Sequence, residues 1–185
     1  MTKRAYHHGD LRRAVLAAAV EAITEHGTGG VSLRDLARRA GVSHAGPVHH
    51  FGDKAGLLTA IAAEGYGLLA DALVSAWAAS EDFREVGVAY VRFAIGHRAH
   101  FEVMFRPDLY HADDSEVVAA RERANTELTR GVGTVAGDAD PGLAAVAAWS
   151  LMHGFATLWI TGAMSDVDRD PEGLARSIAG VLFSG

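Results

Sequence analysis

The 185-residue chain is predicted to be all-α. Three observations carry that prediction. Apolar residues recur at steps of three and four along most of its length, as one buried helix face requires. Capping residues and glycine or proline breakers bracket those stretches. Nowhere does a period-two alternation of β-branched residues run long enough to make a sheet.

The elements follow in chain order. The first helix is expected from about Asp10, an acceptable N-cap, to Gly27 as its left-handed C-terminal residue. Leu11, Val15, Ala18, Ala19, Ala22 and Ile23 make its buried stripe. Lys3 and Arg4 precede it on an arm that either enters a minor groove or stays solvated. Thr28, Gly29 and Gly30 read as a loop. Ser32 caps a short helix in which Asp35 favours the positive end. A long helix is expected over 53–79, carrying Leu57, Leu58, Ile61, Leu68, Leu69, Leu73 and Trp77. Further helices are expected over 82–98, 99–106 (ended by Pro107), 113–136, 141–163 and 171–183. Turns rich in Asp, Gly and Pro connect them at 137–141 and 165–171.

Composition narrows the function classes. Apolar residues make up 49% of the chain, enough to bury a core. Cysteine is absent, which excludes disulfides and thiolate metal sites. No apolar run is expected to reach the roughly 18 residues of a membrane span. The charges of Lys3 and Arg4 have no apolar stretch behind them, against a signal peptide. A cytoplasmic protein without membrane contact is expected. No Gly-rich phosphate loop, nucleophile elbow or HExxH motif is present, so neither an enzyme nor a cofactor is expected.

The net charge of −6 is unevenly spread. Residues 1–56 hold eight Lys and Arg against five Asp and Glu, and six of the ten histidines; the other 129 residues are net −9. A basic head on an acidic body suits a protein that presents one end to phosphates.

That head contains the strongest local signal. Leu33, Leu36, Ala37 and Ala40 make the inner face of a two-turn helix. Small Ala37 admits a second helix, Gly41 supplies the positive φ of a tight turn, Val42 plugs the angle, and Ser43 is expected to cap the next helix. This is the spacing of a helix-turn-helix, whose second helix enters a major groove.

From Tyr6-His7-His8-Gly9-Asp10 through Gly41-Val42-Ser43-His44 and His49-His50-Phe51 to Asp53-Lys54, the chain resembles the TetR family of repressors. The resemblance implies two domains. Residues 1–56 would be a three-helix helix-turn-helix DNA-binding domain, joined by the long helix to a helical ligand-binding and dimerisation bundle over 57–185. It implies a recognition helix over 43–50, packed on the first helix by Phe51. His44 would read bases, with Ala45 and Gly46 small enough for close groove approach, and His49 would reach bases or phosphates. His50, Lys54, Ser32 and Arg34 would hold phosphates. Two departures stand out. Val48 replaces a common aromatic and can instead meet a thymine methyl. Pro47 replaces a common leucine and, with Gly46, predicts a loosely wound recognition helix. Specificity would then rest partly on DNA shape. Protonation of His44 and His49 would tune affinity below about pH 6.5.

In the body, Ala148-Trp149-Ser150-Leu151-Met152-His153-Gly154-Phe155 resembles the C-terminal domain of a TetR subgroup named for its Trp, His and Gly. Trp149 and His153 share a helix face; His153 either packs in the core or orients an apolar ligand. Trp77, Tyr90, Phe93, Phe101, Met104 and Phe105 are the other candidate walls of an effector cavity. The last two helices, rich in small residues, would form half of a four-helix homodimer interface that suits a palindromic operator in double-stranded DNA. Repression, released by a small and largely apolar molecule, is what the resemblance implies. Two rivals stand beside it. One is a metal-responsive regulator using His97, His100, Glu102, His111, Asp113 and Asp114; the other is a helical adaptor that has lost DNA binding.

Overall fold

The computed structural model describes residues 6–137, 140–165, 167 and 170–182. The arm with Lys3 and Arg4 lies outside them. Among the described residues there are nine α-helices and no strand. They are α1 (Tyr6–His26), α2 (Leu33–Arg39), α3 (Ala45–Phe51), α4 (Lys54–Ser80), α5 (Phe83–Gly96), α6 (Arg98–Met104), α7 (Ser115–Thr129), α8 (Pro141–Ile160) and α9 (Pro171–Leu182).

Several boundaries differ from expectation for local reasons. α1 begins at Tyr6, so Asp10 is an interior residue. A cap is a preference of only about 1 kcal/mol, and the ladder continues through it. Gly27 has φ +69 but ψ 175, an extended mirror conformation open to glycine rather than the left-handed helical one expected. Its N–H still closes on the Ile23 carbonyl at 2.8 Å. A 3-10 turn, Thr28–Gly30, replaces the loop. The helix expected over 113–136 stops at Thr129, because Gly131 turns the chain at φ +78 into a short 3-10 turn, Val132–Thr134. A Cβ on Gly131 would sit 2.1 Å from the Trp77 ring, so the approach requires glycine. Asp82 and Asp140 cap α5 and α8: their carboxylates accept from the Arg84 and Leu143 amides at 2.9 and 2.8 Å.

Two compact units form. The first comprises residues 1–65 and 99–119. Val15, Ala19, Ile23, Leu36, Leu57 and Ile61 are its buried centre. Thr59 Oγ1 accepts from the His111 amide at 3.0 Å, and Glu102 accepts from the Thr28 amide at 3.1 Å, tying α4 and α6 to neighbouring turns. The second unit comprises residues 66–98 and 120–185. Here α5 packs on α8 and α9. Fork-shaped ion pairs, Arg92 with Glu172 and Arg176 with Glu85, link α5 to α9 at the surface.

α4 and α8 are each long and apolar enough to cross a membrane, contrary to the expectation that no stretch reaches span length. Their alanines and glycines interrupt the bulky residues without adding charge, so mean hydropathy stays high. In α4 the large apolar residues Leu57, Leu58, Ile61, Leu69 and Leu73 are buried in the protein itself.

Candidate nucleic-acid interface

Ser32 caps α2 as expected: its Oγ accepts from the Asp35 amide at 3.2 Å, and the exposed hydroxyl keeps its own proton for an outside acceptor. Leu36 and Ala37 face inward, and Gly41 turns at φ +65. The half-buried Val42 donates its N–H to the Ala37 carbonyl at 2.9 Å. Ser43 does not cap α3. His44 holds the N-cap position in helical conformation without a side-chain cap, and the Ser43 carbonyl takes the Gly46 amide at 3.0 Å.

α3 is a regular helix, not the loosely wound one expected. Pro47 is its third residue, where an amide has no intrahelical partner to lose. Pro47 therefore lends no support to an adaptor that has lost DNA binding. His44, Ala45, Val48 and His49 are exposed, Val48 at 52%, while His50 is half-buried. Gly46 is buried. A Cβ there would meet Leu11 Cδ1 at 3.1 Å, so its smallness serves packing against α1 rather than groove approach. Phe51 is buried, with the Arg12 guanidinium 5.8 Å from its ring centroid. A Cβ on Gly56 would lie 2.0 Å from the Phe51 carbonyl oxygen, so α4 starts directly against the end of α3. Asp53 Oδ1 accepts from the Gly56 amide at 2.9 Å, which leaves Lys54 in the first turn of α4.

The cations of α2 divide by partner. Arg38 pairs with Asp35 and Arg39 with Glu25, each at 2.9 Å, and each arginine holds its carboxylate below the ordinary value. Arg34 is exposed and makes no ion pair among the described residues.

In the second unit Tyr90 is the polar centre. Trp149 Nε1–H donates to its hydroxyl at 3.2 Å, and that hydroxyl lies 2.8 Å from His153 Nδ1. With the tryptophan as obligate donor, the simplest chain has Tyr90 donating onward to a neutral imidazole. Burial raises the Tyr90 pKa and lowers that of His153, and both shifts favour this neutral chain. His153 is half-buried at this junction and hydrogen-bonded within the bundle. Beside it lies a crevice of about 30 Å³, lined by Phe83, Val86, Gly87, Tyr90, Trp149 and Met152 among others.

The other expected ligand residues are elsewhere. Trp77 packs against Gly131 and the cluster of Phe83, Val132 and Ala148. Phe93 stacks on His97 with centroids 5.1 Å apart. Phe101, Met104 and Phe105 belong to the first unit, where Phe101 and Phe105 meet edge to face and Met104 packs over Gly65. Sequence reasoning assigned no site role to Met152, which lies within the quoted Trp149–His153 stretch, nor to Gly87 and Phe83, which come from α5, remote in sequence from it.

In the 97–111 stretch, the His97 ring stacks on Phe93, and the buried His100 lies 4.0 Å from Glu64. Among the described residues no three His, Asp or Glu side chains gather as a metal site would need.

A profile described as "Bacterial regulatory proteins, tetR family" matches residues 15–61. Another, "Tetracyclin repressor-like, C-terminal domain", matches residues 83–182, more than half the chain. The chain belongs to the TetR family. Among similar proteins, the HTH-type transcriptional regulator BetI of Rhizobium meliloti (strain 1021) is 40% identical over 81 residues. That match takes in 44% of this chain and 40% of BetI, so the chain spans well under half of that relative's length. A Rhodococcus sp. RHA1 protein of unknown function is 33% identical, with a TM-score of 0.83 over 99% of this chain and 98% of that one. The TetR family regulator PfmR from Thermus thermophilus is 25% identical, with a TM-score of 0.73 over 92% and 97% of the two chains.

Proposed function

We propose that this TetR-family protein is a cytoplasmic, dimeric repressor that grips palindromic operator DNA and is released by a small, largely apolar molecule. The observation that carries the reading is the exposed face of α3, where His44, Ala45, Val48 and His49 stand outward on a helix anchored by Phe51 and Gly46. Ser32, Arg34, His50 and Lys54 flank that face as phosphate holders, Lys54 with the α4 amides beside it. Ser43 contributes through its backbone. His44 and Val48 read base edges, and few long polar side chains take part, so DNA shape supplies the remainder.

Homodimerisation is assigned to α8 and α9. Leu143 (67% exposed), Val146 (55%) and Leu158 (49%) on α8, with Val181 (82%) on α9, leave an apolar surface that a second copy would cover. The effector site is placed at the Tyr90–Trp149–His153 junction, which also supports membership of the Trp-His-Gly subgroup. α4 is a continuous 27-residue helix with Lys54 at one end and Trp77 near the other, and is the lever that couples effector to DNA. An effector acts by its differential affinity for the two head spacings.

Fluorescence anisotropy with DNA from the protein's own promoter region tests this. Binding is expected to weaken steeply and linearly in log salt, as phosphate contacts dictate. Absence of sequence-selective binding overturns the reading.

A further inference from the structure

A groove of about 900 Å³ lies in the first unit, walled by α1 and α4 and bordered by α6 and the start of α7. Its size matches that of a small-molecule site, whereas the crevice beside Tyr90 holds about 30 Å³. The floor is apolar: Leu16, Ala17 and Val20 from α1 face Ala60 and Ala63 from α4. The space exists because α4 carries alanine at both floor positions, while its leucines and isoleucine, at 57, 58 and 61, are buried in the core.

The rim is charged in an uneven way. Glu21, Glu64 and Glu116 reach it from three different helices, all exposed. Among the described residues none of the three makes an ion pair with Lys or Arg; Glu64 has the buried His100 at 4.0 Å. Arg12 and Arg13 stand at the other edge, so the lining carries three carboxylates against two guanidiniums, and Arg12 is drawn toward α3 by the Phe51 ring. Carboxylates that converge over an apolar floor favour a ligand with an apolar body and a positive centre. They disfavour an anion of the same shape.

We propose that this groove is a second ligand site, separate from the effector junction, and that it takes an apolar organic cation. The body would lie on Leu16, Val20, Ala60 and Ala63, with the positive centre held by Glu21, Glu64 and Glu116. The walls are the helices against which α3 is mounted, so occupancy bears on DNA binding.

Titration calorimetry of the full chain without DNA tests this, using tetraphenylphosphonium and its anionic isostere tetraphenylborate. The cation is expected to bind and the borate to bind at least about tenfold more weakly, as opposite charge interactions with the rim dictate. Glu21→Gln and Glu64→Gln, both at exposed positions, should each weaken the cation by about fivefold. Ala63→Phe should exclude it, and Trp149→Ala should leave it unchanged. Failure of the cation to bind overturns the proposal, as does equal binding of the two isosteres. Sensitivity to Trp149→Ala but not to the glutamate variants also overturns it, because the cation would then sit at the Tyr90 junction. Operator binding by the free protein is measured separately, so loss of this site and loss of the repressor reading are distinguishable.

Discussion

At the residue scale, two side-chain environments make sharp predictions. Gly131 combines a positive φ with no room for a side chain, since an added Cβ would sit 2.1 Å from the Trp77 ring, so a methyl there meets both penalties. Gly131→Ala should cost about 2–3 kcal/mol, from overpacking and backbone strain together. The urea unfolding midpoint would report it, and an unchanged midpoint would mean that Trp77 moves freely. His153 gives a pH prediction. Its folded pKa is depressed by burial, so its contribution to stability is present above the ordinary histidine value of 6.5 and lost as pH falls through the lower, folded one. Melting temperature should drop as pH is lowered from 7 to 5. The drop should be smaller in His153→Gln, which keeps a polar partner for Tyr90 without a titrating ring.

At the element scale, the helix-turn-helix is held by few devices, each of which can be removed alone. Ser32 is the cap of a seven-residue helix too short to stand by propensity. Ser32→Ala should lower stability by about 1 kcal/mol and, by removing a hydroxyl that faces outward, weaken DNA binding uniformly across sequences. Thermal melts and anisotropy separate the two effects; a selective loss at one operator position would contradict the phosphate role. The same element shows what sequence reading sees and what it does not. Ser32, Gly41 and Ala37 were legible because caps, positive φ and close approach are local demands that one residue type meets. Gly46 was misread because its reason lies 35 positions away, in the Leu11 side chain. Pro47 was misread because its cost depends on where α3 begins, and the start moved from Ser43 to Ala45.

At the scale of the whole molecule, assembly is the decisive property. If α8 and α9 form the dimer face, Leu143→Glu with Val146→Glu should leave a folded monomer, because both side chains are already exposed in one chain. Sedimentation would show half the mass. Operator affinity should fall by more than about tenfold, since the second recognition helix would no longer be held at high effective concentration. A dimer that survives both substitutions would move the interface elsewhere.

The sequence by itself determined the all-α class, the order of the helices, the helix-turn-helix and the basic head. These depend on periodicity, caps and charge counts, which act over a few residues and need no knowledge of neighbours in space. Only the tertiary structure decided which candidate residues meet. It put Phe101, Met104 and Phe105 in one unit and Tyr90 and Trp149 in the other. It joined Trp149, Tyr90 and His153 through one hydroxyl and opened a groove over the alanines of α4. Hydrophobic burial is non-directional, so an aromatic at helical spacing announces that it will be buried but not against what.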